Sequence, residues 1–399
     1  MLTQSISKDT FITTYQTVYP KVSVAMESVA TTRFESDLTS GQTVSRIRTS
    51  ILGNIQSVVD RTDLTITTPT DTKEQLTIDE HKAVTFSLTK KEIIQMGALN
   101  ASQELGKQAA MDLMAYVDGK VFGEVENAAT KVATVGGAVK AVANAVTSTP
   151  ITMTTSNINK VFSRGRAGIR KNNVALTNEC MVIDPDNAAI IEEYLAGKDN
   201  DAATGVFANG YRGMVFGASM YVSNNLTNQI DLTAGGTIVA DDTFTVGSVV
   251  FTFKAAPSVA GEVDLGGDDE TSLDNLTAAV NGAAGAGTAY IALSAANRTE
   301  ITETLRVTAS NTATVLTLKA GSGALSYSES LTGVTETNNF MHVYFGQKGS
   351  VDLVIQSDID LKVVDEPRQL TTNFITDVLF GKKLFTDGTV KYVSAHLSI

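Results

Sequence analysis

The chain has no tryptophan, one cysteine, three histidines and six prolines in 399 residues. Each scarcity excludes something. With Cys180 alone, no disulfide can form within the chain, and a cysteine-rich zinc site is impossible. A lone thiol fits folding in a reducing compartment. His81, His342 and His396 are the only imidazoles available for proton transfer or metal ligation. Charged residues make up 19% of the chain, below the usual proportion of about a quarter. Lysine and arginine number 31 against 43 acidic residues, a net charge of -12, and no basic arm stands at either end. Tight nucleic-acid binding needs cations against phosphates, so it is excluded as the main activity. No apolar run approaches the ~18 residues that would cross a membrane. The start, Met1-Leu2-Thr3-Gln4-Ser5, lacks a basic and an apolar region, so no signal peptide is expected.

What is present is apolar and short-chained. The chain is 43% hydrophobic, enough for two or three domains of about 100–200 residues. Threonine, serine, alanine and glycine stand where charges usually do. Such a surface suits packing against copies of itself, because ordering short side chains costs little entropy.

Residues 1–55 are mixed, with apolar positions such as Phe11, Tyr15, Val18 and Val22 at roughly helical spacing, interrupted by Pro20. They are expected to form an arm with short helical pieces. Residues 56–90 are expected to form a long β-hairpin: Ile55 to Ile66 going out, a turn over residues 67–73, and a return limb in which Val84, Phe86 and Leu88 share a face. Residues 90–127 carry an apolar stripe, Leu105, Ala109, Leu113, Val117, Val121 and Val125, that predicts one long helix. Residues 128–147 predict a loop or weak hairpin at Gly136-Gly137. An α/β region follows. It has a helix capped by Thr155-Ser156-Asn157, a buried strand Cys180-Met181-Val182-Ile183, a helix opened by Asp184-Pro185-Asp186, and a glycine-punctuated turn and strand over residues 213–222.

Composition shifts at 228–337, which is rich in threonine, glycine and alanine. A hairpin turned at Gly247-Ser248, a helix opened by Asp268-Asp269-Glu270, and strands at Ile291-Ala292-Leu293, Leu305-Arg306-Val307 and 315–318 are expected. Phe244, Val246, Phe251, Phe253, Leu273, Leu276, Leu305, Val307, Leu316 and Leu318 would form a core of their own. Strands at 351–355, 359–364, 374–385 and 390–393 then resume the earlier style.

The sequence contains no P-loop, His-Glu-x-x-His, nucleophile elbow or dinucleotide fingerprint. The three histidines are expected in different strands, as packing residues. Glu262, Asp264, Asp268, Asp269, Glu270 and Asp274 could ligate calcium but lack the EF-hand spacing, and helix capping is the simpler expectation. Arg164, Arg166, Arg170 and Lys171 could touch nucleic acid, but are expected to cover the polar face and end of one helix and form salt bridges. Cys180, followed by Met181, Val182 and Ile183, is expected in the core. No catalytic, cofactor or metal residue is assigned, so the expected role is not enzymatic.

Four patterns, in this order, resemble the major capsid proteins of tailed bacteriophages. Residues 76–86, Leu-Thr-Ile-Asp-Glu-His-Lys-Ala-Val-Thr-Phe, are similar to the return limb of that family's extended loop. Ala109-Ala110-Met111-Asp112 to Val117-Asp118 is similar to its spine helix. Met181-Val182-Ile183-Asp184-Pro185-Asp186 is similar to the strand-proline-helix unit of the axial domain. Asn209-Gly210-Tyr211 through Gly217 to Ser223-Asn224-Asn225 is similar to a glycine turn entering an axial strand. The resemblance covers most of 1–227 and 338–399.

It implies an α+β, HK97-like fold with seven parts. These are 1–55, N-terminal arm and start of the peripheral domain; 56–90, extended loop; 91–149, peripheral domain with the spine helix; 150–227, axial domain; 228–337, β-rich insertion domain; 338–365, axial return strands; and 366–399, peripheral return strands. It also implies a structural protein that self-assembles through pentamers and hexamers into an icosahedral head around double-stranded DNA, without specific DNA binding. A separate scaffolding protein, a portal and a cement or decoration protein would be partners. The location would be the virion, with assembly in the host bacterial cytoplasm and no membrane. The alternatives are an encapsulin-type nanocompartment shell and a phage tail structural protein.

Overall fold

Alternating apolar positions pair into four sheets among the described residues of this computed structural model. It describes residues 23–399 apart from 39–40, 50–54, 59–62, 64–65, 67, 96–97, 176 and 198–213. The chain is mixed α+β, as expected.

The largest sheet has ten strands. Its trunk is Val334–Gln347. The first half of the trunk pairs with Asn228–Ala234, residues 340–346 pair with Tyr392–Ser398, and its end pairs with Glu179–Ile183. Thr130–Val135 and Ala138–Ala143 extend the sheet on one side, and Val315–Ala320 and Val307–Thr312 on the other. The hairpin at 130–143 turns on Gly136 and Gly137, at φ 59° and 72°, where side chains other than glycine are strained. The helix Ile158–Lys171 lays Val161, Phe162 and Ile169 on this sheet. Gly165 and Gly168 permit the approach: a Cβ there would stand 2.6 Å from Phe345 and 2.8 Å from Val393. Asp184 caps the helix Pro185–Ala196 by accepting from the Asn187 amide, and proline occupies its first turn.

A second sheet is ordered Ala30–Thr31, Val351–Glu366, Thr371–Lys383, Glu80–Thr89. The long helix Ala98–Phe122 packs on it, with Tyr116 edge-on to Phe380. The helix spans 25 residues, about 37 Å. Its apolar face, both sheets and the Ile158–Lys171 helix share one core. The third sheet, Glu262–Asp264, Val249–Lys254, Thr243–Val246 and Tyr327–Glu329, belongs to a lobe with its own core. Of the ten core residues expected there, nine are buried in that cluster and Leu305 packs against it. The lobe's entry and exit meet: Asn228 pairs with Met341, and the Thr227 carbonyl accepts from the His342 amide at 2.9 Å.

Several expectations change. The fourth sheet is the hairpin, Thr43–Thr49 paired with Asp71–Thr77. Its return limb is therefore 71–77. Val84, Phe86 and Leu88 instead lie in Glu80–Thr89, paired with Thr371–Lys383. An alternating pattern marks a strand but does not name its partner, and the Phe86–Phe374 stack, 4.8 Å between centroids, shows what the sheet supplies. In the expected outgoing limb, residues 55–58, 63 and 66 are described and none is in a strand; the rest lies outside the described residues. The expected single helix over 90–127 is described as Lys90–Gln95, Ala98–Phe122 and a 3-10 turn Gly123–Asn127. The expected boundary at 337/338 falls inside the trunk strand Val334–Gln347. That at 365/366 falls near the end of Val351–Glu366, which pairs along its length with Thr371–Lys383. Ile291-Ala292-Leu293 is not a strand; Ile291 makes only two backbone bonds, to Gly261 and Glu262. Residues 11–22 and Asn209-Gly210-Tyr211 lie outside the described residues.

Candidate assembly surfaces

The hairpin is fixed at its root and carries exposed aliphatic side chains further out. Leu76 and Ile78 are buried with Leu38, Val354 and Phe385, and Val44 packs against them. Arg46 lies over the Phe385 ring, 4.8 Å from its centroid, and bonds Asp387 at 2.6 Å. The Glu74 carboxylate accepts from the amide of Thr386 at 3.3 Å. Gly381 lets the sheet pass against the root, since a Cβ there would lie 2.4 Å from the Thr77 carbonyl oxygen. Along the hairpin and the segment between its strands, Ile47, Ile55, Val58 and Ile66 are 71%, 99%, 78% and 91% exposed. Single exposed aliphatics are ordinary, but four in so short a stretch make a surface that gains by meeting another apolar surface.

Buried carboxylates hold the described part of the arm. Asp118, 2% exposed on the long helix, accepts from the Ser23 hydroxyl at 2.6 Å and from the Val24 and Ala25 amides at 3.0 and 3.3 Å. Burial pushes its pKa up to about 6 in spite of those bonds. Arg33 grips Asp352 with both nitrogens, at 2.5 and 2.7 Å. In the sequence Asp118 stands only at the end of the spine-helix pattern; its role needs the arm folded back over it.

The three histidines lie in three different strands, as expected, and two of them meet. His342 and His396 stand opposite each other on adjacent strands, their rings 4.8 Å apart, with Phe340 against both. The His342 ring nitrogens meet Ser394 Oγ and Gln229 Oε1, each at 3.1 Å. Burial holds the His342 pKa well below the usual imidazole range and brings His396 down to about 3. Both are therefore neutral at ordinary pH. His81 is elsewhere, largely exposed, 2.8 Å from Asp377. Burial pushes the Cys180 thiol up to about 12, so it stays protonated, and it donates to the Ser28 carbonyl.

The acidic residues of 262–274 are occupied locally. Glu262 accepts from the Ser258 and Val259 amides, and Asp264 from Gly266. Asp268 caps the helix Asp269–Asn281, Asp269 accepts from the Ile238 amide, and Asp274 accepts from Asn311. Among the described residues, no group of three histidine, cysteine or acidic side chains could hold a metal ion. In the basic run, Arg166 bonds Glu179 at 2.8 Å and also the Phe216 carbonyl, and Lys171 donates to the Ala141 carbonyl. Arg170 and Lys171 occupy the helix's last turn, where its dipole favours cations. Among the described residues, no helix is long and apolar enough to cross a membrane.

No family model matches the chain, and neither does any curated protein. Solved structures do match it over most of its length. A protein of Mycobacterium phage Che8 is similar over 92% of this chain and 88% of its own, with 11% identity and a TM-score of 0.49. The capsid structure of the cyanophage P-SCSP1u covers 93% of this chain and 86% of its own, with 11% identity and a TM-score of 0.46. A virus-like particle from Pyrococcus furiosus covers 97% and 98%, with 9% identity and a TM-score of 0.44.

Proposed function

We propose that this chain is the major capsid protein of a tailed bacteriophage, a structural and non-enzymatic subunit of the icosahedral head. On this reading the fold is HK97-like. The hairpin rooted at 43–49 and 71–77 is the extended loop, Ala98–Phe122 the spine helix, the strands of the ten-stranded sheet outside 228–334 the axial region, and the 228–334 lobe, which adds three strands to that sheet, an inserted domain. The observation that carries it is the rooted hairpin with four exposed aliphatics. A rigid base and an apolar outer part are what a subunit needs to lie over its neighbour. Repeated around rings of five and six, such head-to-tail contacts close into a shell. The net charge of -12 keeps packed DNA from adhering. Scaffolding, portal and cement proteins would be partners, and the head would assemble in the bacterial cytoplasm.

Negative-stain microscopy of the full chain, alone and with a scaffolding protein, tests the proposal. Closed shells are expected. Ile47→Asp with Ile66→Asp should abolish them while leaving the circular dichroism and melting of the subunit unchanged. Subunits that stay monomeric under every condition would refute it. Native shells that hold a cargo enzyme and no nucleic acid would favour an encapsulin-type compartment instead.

A further inference from the structure

The lobe meets the body at two separate places. One is the shared sheet, where Asn228–Ala234 pairs with the trunk strand. The chain's entry and exit already lie there, so connectivity requires nothing more. The other contact lies against the last turns of the long helix. Gly119 fits so closely beneath the lobe that a Cβ would stand 2.5 Å from the Gly321 carbonyl oxygen and 2.9 Å from Arg306 Cζ. Arg306 donates to that carbonyl from Nε at 3.0 Å and from the terminal nitrogen at 2.5 Å. Its guanidinium also faces the Tyr116 ring, 5.9 Å from the centroid. Lys82 of the second sheet pairs with Glu303 at 2.9 Å, and Lys319 with Glu126 at 2.5 Å.

This second contact is tight on both of its sides. Arg306 sits at φ 52°, in the left-handed region, directly after Leu305, which ends the helical turn Glu300–Thr304. Glycine inside a helix is less favourable than alanine, and at Gly119 the close approach of Gly321 and Arg306 requires it. The contact is also narrow. Clefts of about 380 and 510 Å³ open beside it, and Arg306 lines both.

We propose that the contact is a brace. The lobe, seated by Arg306 in the notch at Gly119, closes a ring that runs from long helix to core, to large sheet, to lobe, and back to the helix. A closed ring adds resistance to bending between sheet and helix beyond that of their shared core. Asp118, next to the notch, holds Ser23, Val24 and Ala25, so the arm is anchored at the same point.

Amide hydrogen exchange on the dissociated full-length subunit tests this. Gly119→Ala places a methyl group in the notch. The amides of 115–122 and of 307–312 should then exchange faster together, by about tenfold, the scale of one lost hydrogen bond to a charged group. Those of 244–253, inside the lobe core, should keep their rates. Arg306→Gly leaves the helix untouched and relieves the left-handed backbone, and it should give the same joint acceleration. It decides the matter alone if Gly119→Ala does not fold. Unchanged rates in Arg306→Gly would overturn the brace. So would acceleration on one side only, or an equal acceleration throughout the chain.

Discussion

Every residue of the lobe's core lies between Ile230 and Val334, whereas the body's core draws on Ala25 at one end and Leu397 at the other. Both are dense and both are joined through one strand, Val334–Gln347. The difference is the length of chain that must close before the apolar faces meet. In the lobe, Phe244 meets Phe251 across a two-residue turn. In the body, Phe86 meets Phe374 after nearly three quarters of the chain has intervened. Loop closure costs entropy before contacts repay it, so the lobe can form on local information and the body cannot.

The sharpest way to break this comparison is to cut a large side chain from each core. Phe251→Ala in the lobe and Phe380→Ala in the body, both fully buried, should each cost about 3–5 kcal/mol. Urea unfolding with exchange readout should show Phe380→Ala lowering protection over the body's distant segments together. Phe251→Ala should lower it mainly between 230 and 334. A uniform loss in both variants would mean one cooperative unit.

Acid attacks the junction between the two regions. His342 bonds Gln229 on the lobe's first strand and stands opposite His396. Both folded pKa values lie below the unfolded value near 6.5. The stability they confer is therefore fully present above about pH 6.5 and lost as pH falls towards about 3. His342→Gln with His396→Phe should flatten that part of a stability–pH curve measured by urea unfolding. An equally steep curve in the double variant would move the cause elsewhere.

Asp118→Ala, on the body side alone, should cost roughly 2 kcal/mol by leaving the Ser23, Val24 and Ala25 donors without their acceptor. Its pH effect has the opposite sign. The folded pKa is raised to about 6, so its favourable contribution is complete below the unfolded pKa and lost as pH rises through about 6. Thermal melts of wild type and variant across that range should converge on the alkaline side. The smallest effect on stability belongs to Ile47→Asp. At 71% exposure it should leave the melting temperature within about a degree, while sedimentation shows weakened self-association.

Legibility in the sequence follows the same division. The lobe's hairpin at Gly247, its capped helix at Asp268 and nine of its ten expected core residues were readable, because turns, caps and alternation act within a few residues. So were the Asp184-Pro185 helix start and the buried strand at Cys180, while the 130–143 hairpin settles an open choice between loop and hairpin. Of the outer hairpin, expected over 56–90, only the limb 71–77 falls in that stretch; its partner, 43–49, lies in the expected arm. Residues 71–77 are mostly exposed, and polar alternation there is weak beside that of Glu80–Thr89. The His342–His396 pair, the grip of Arg33 on Asp352 and the seat of Arg306 left no local signal, since each joins residues from distant segments.

By itself, then, the amino-acid order determined the local elements built on turns, caps and strong alternation, the absence of a disulfide within the chain, the acidic balance and the separate apolar content of 228–337. Only the tertiary structure decided that Val334–Gln347 serves both regions, that Glu80–Thr89 leaves the hairpin for another sheet, and that the lobe returns to touch Gly119. The reason is physical. Strand and helix periodicity are written in side chains two to four residues apart. The partner of an apolar face is whichever other face leaves the least surface in water once the whole chain has closed.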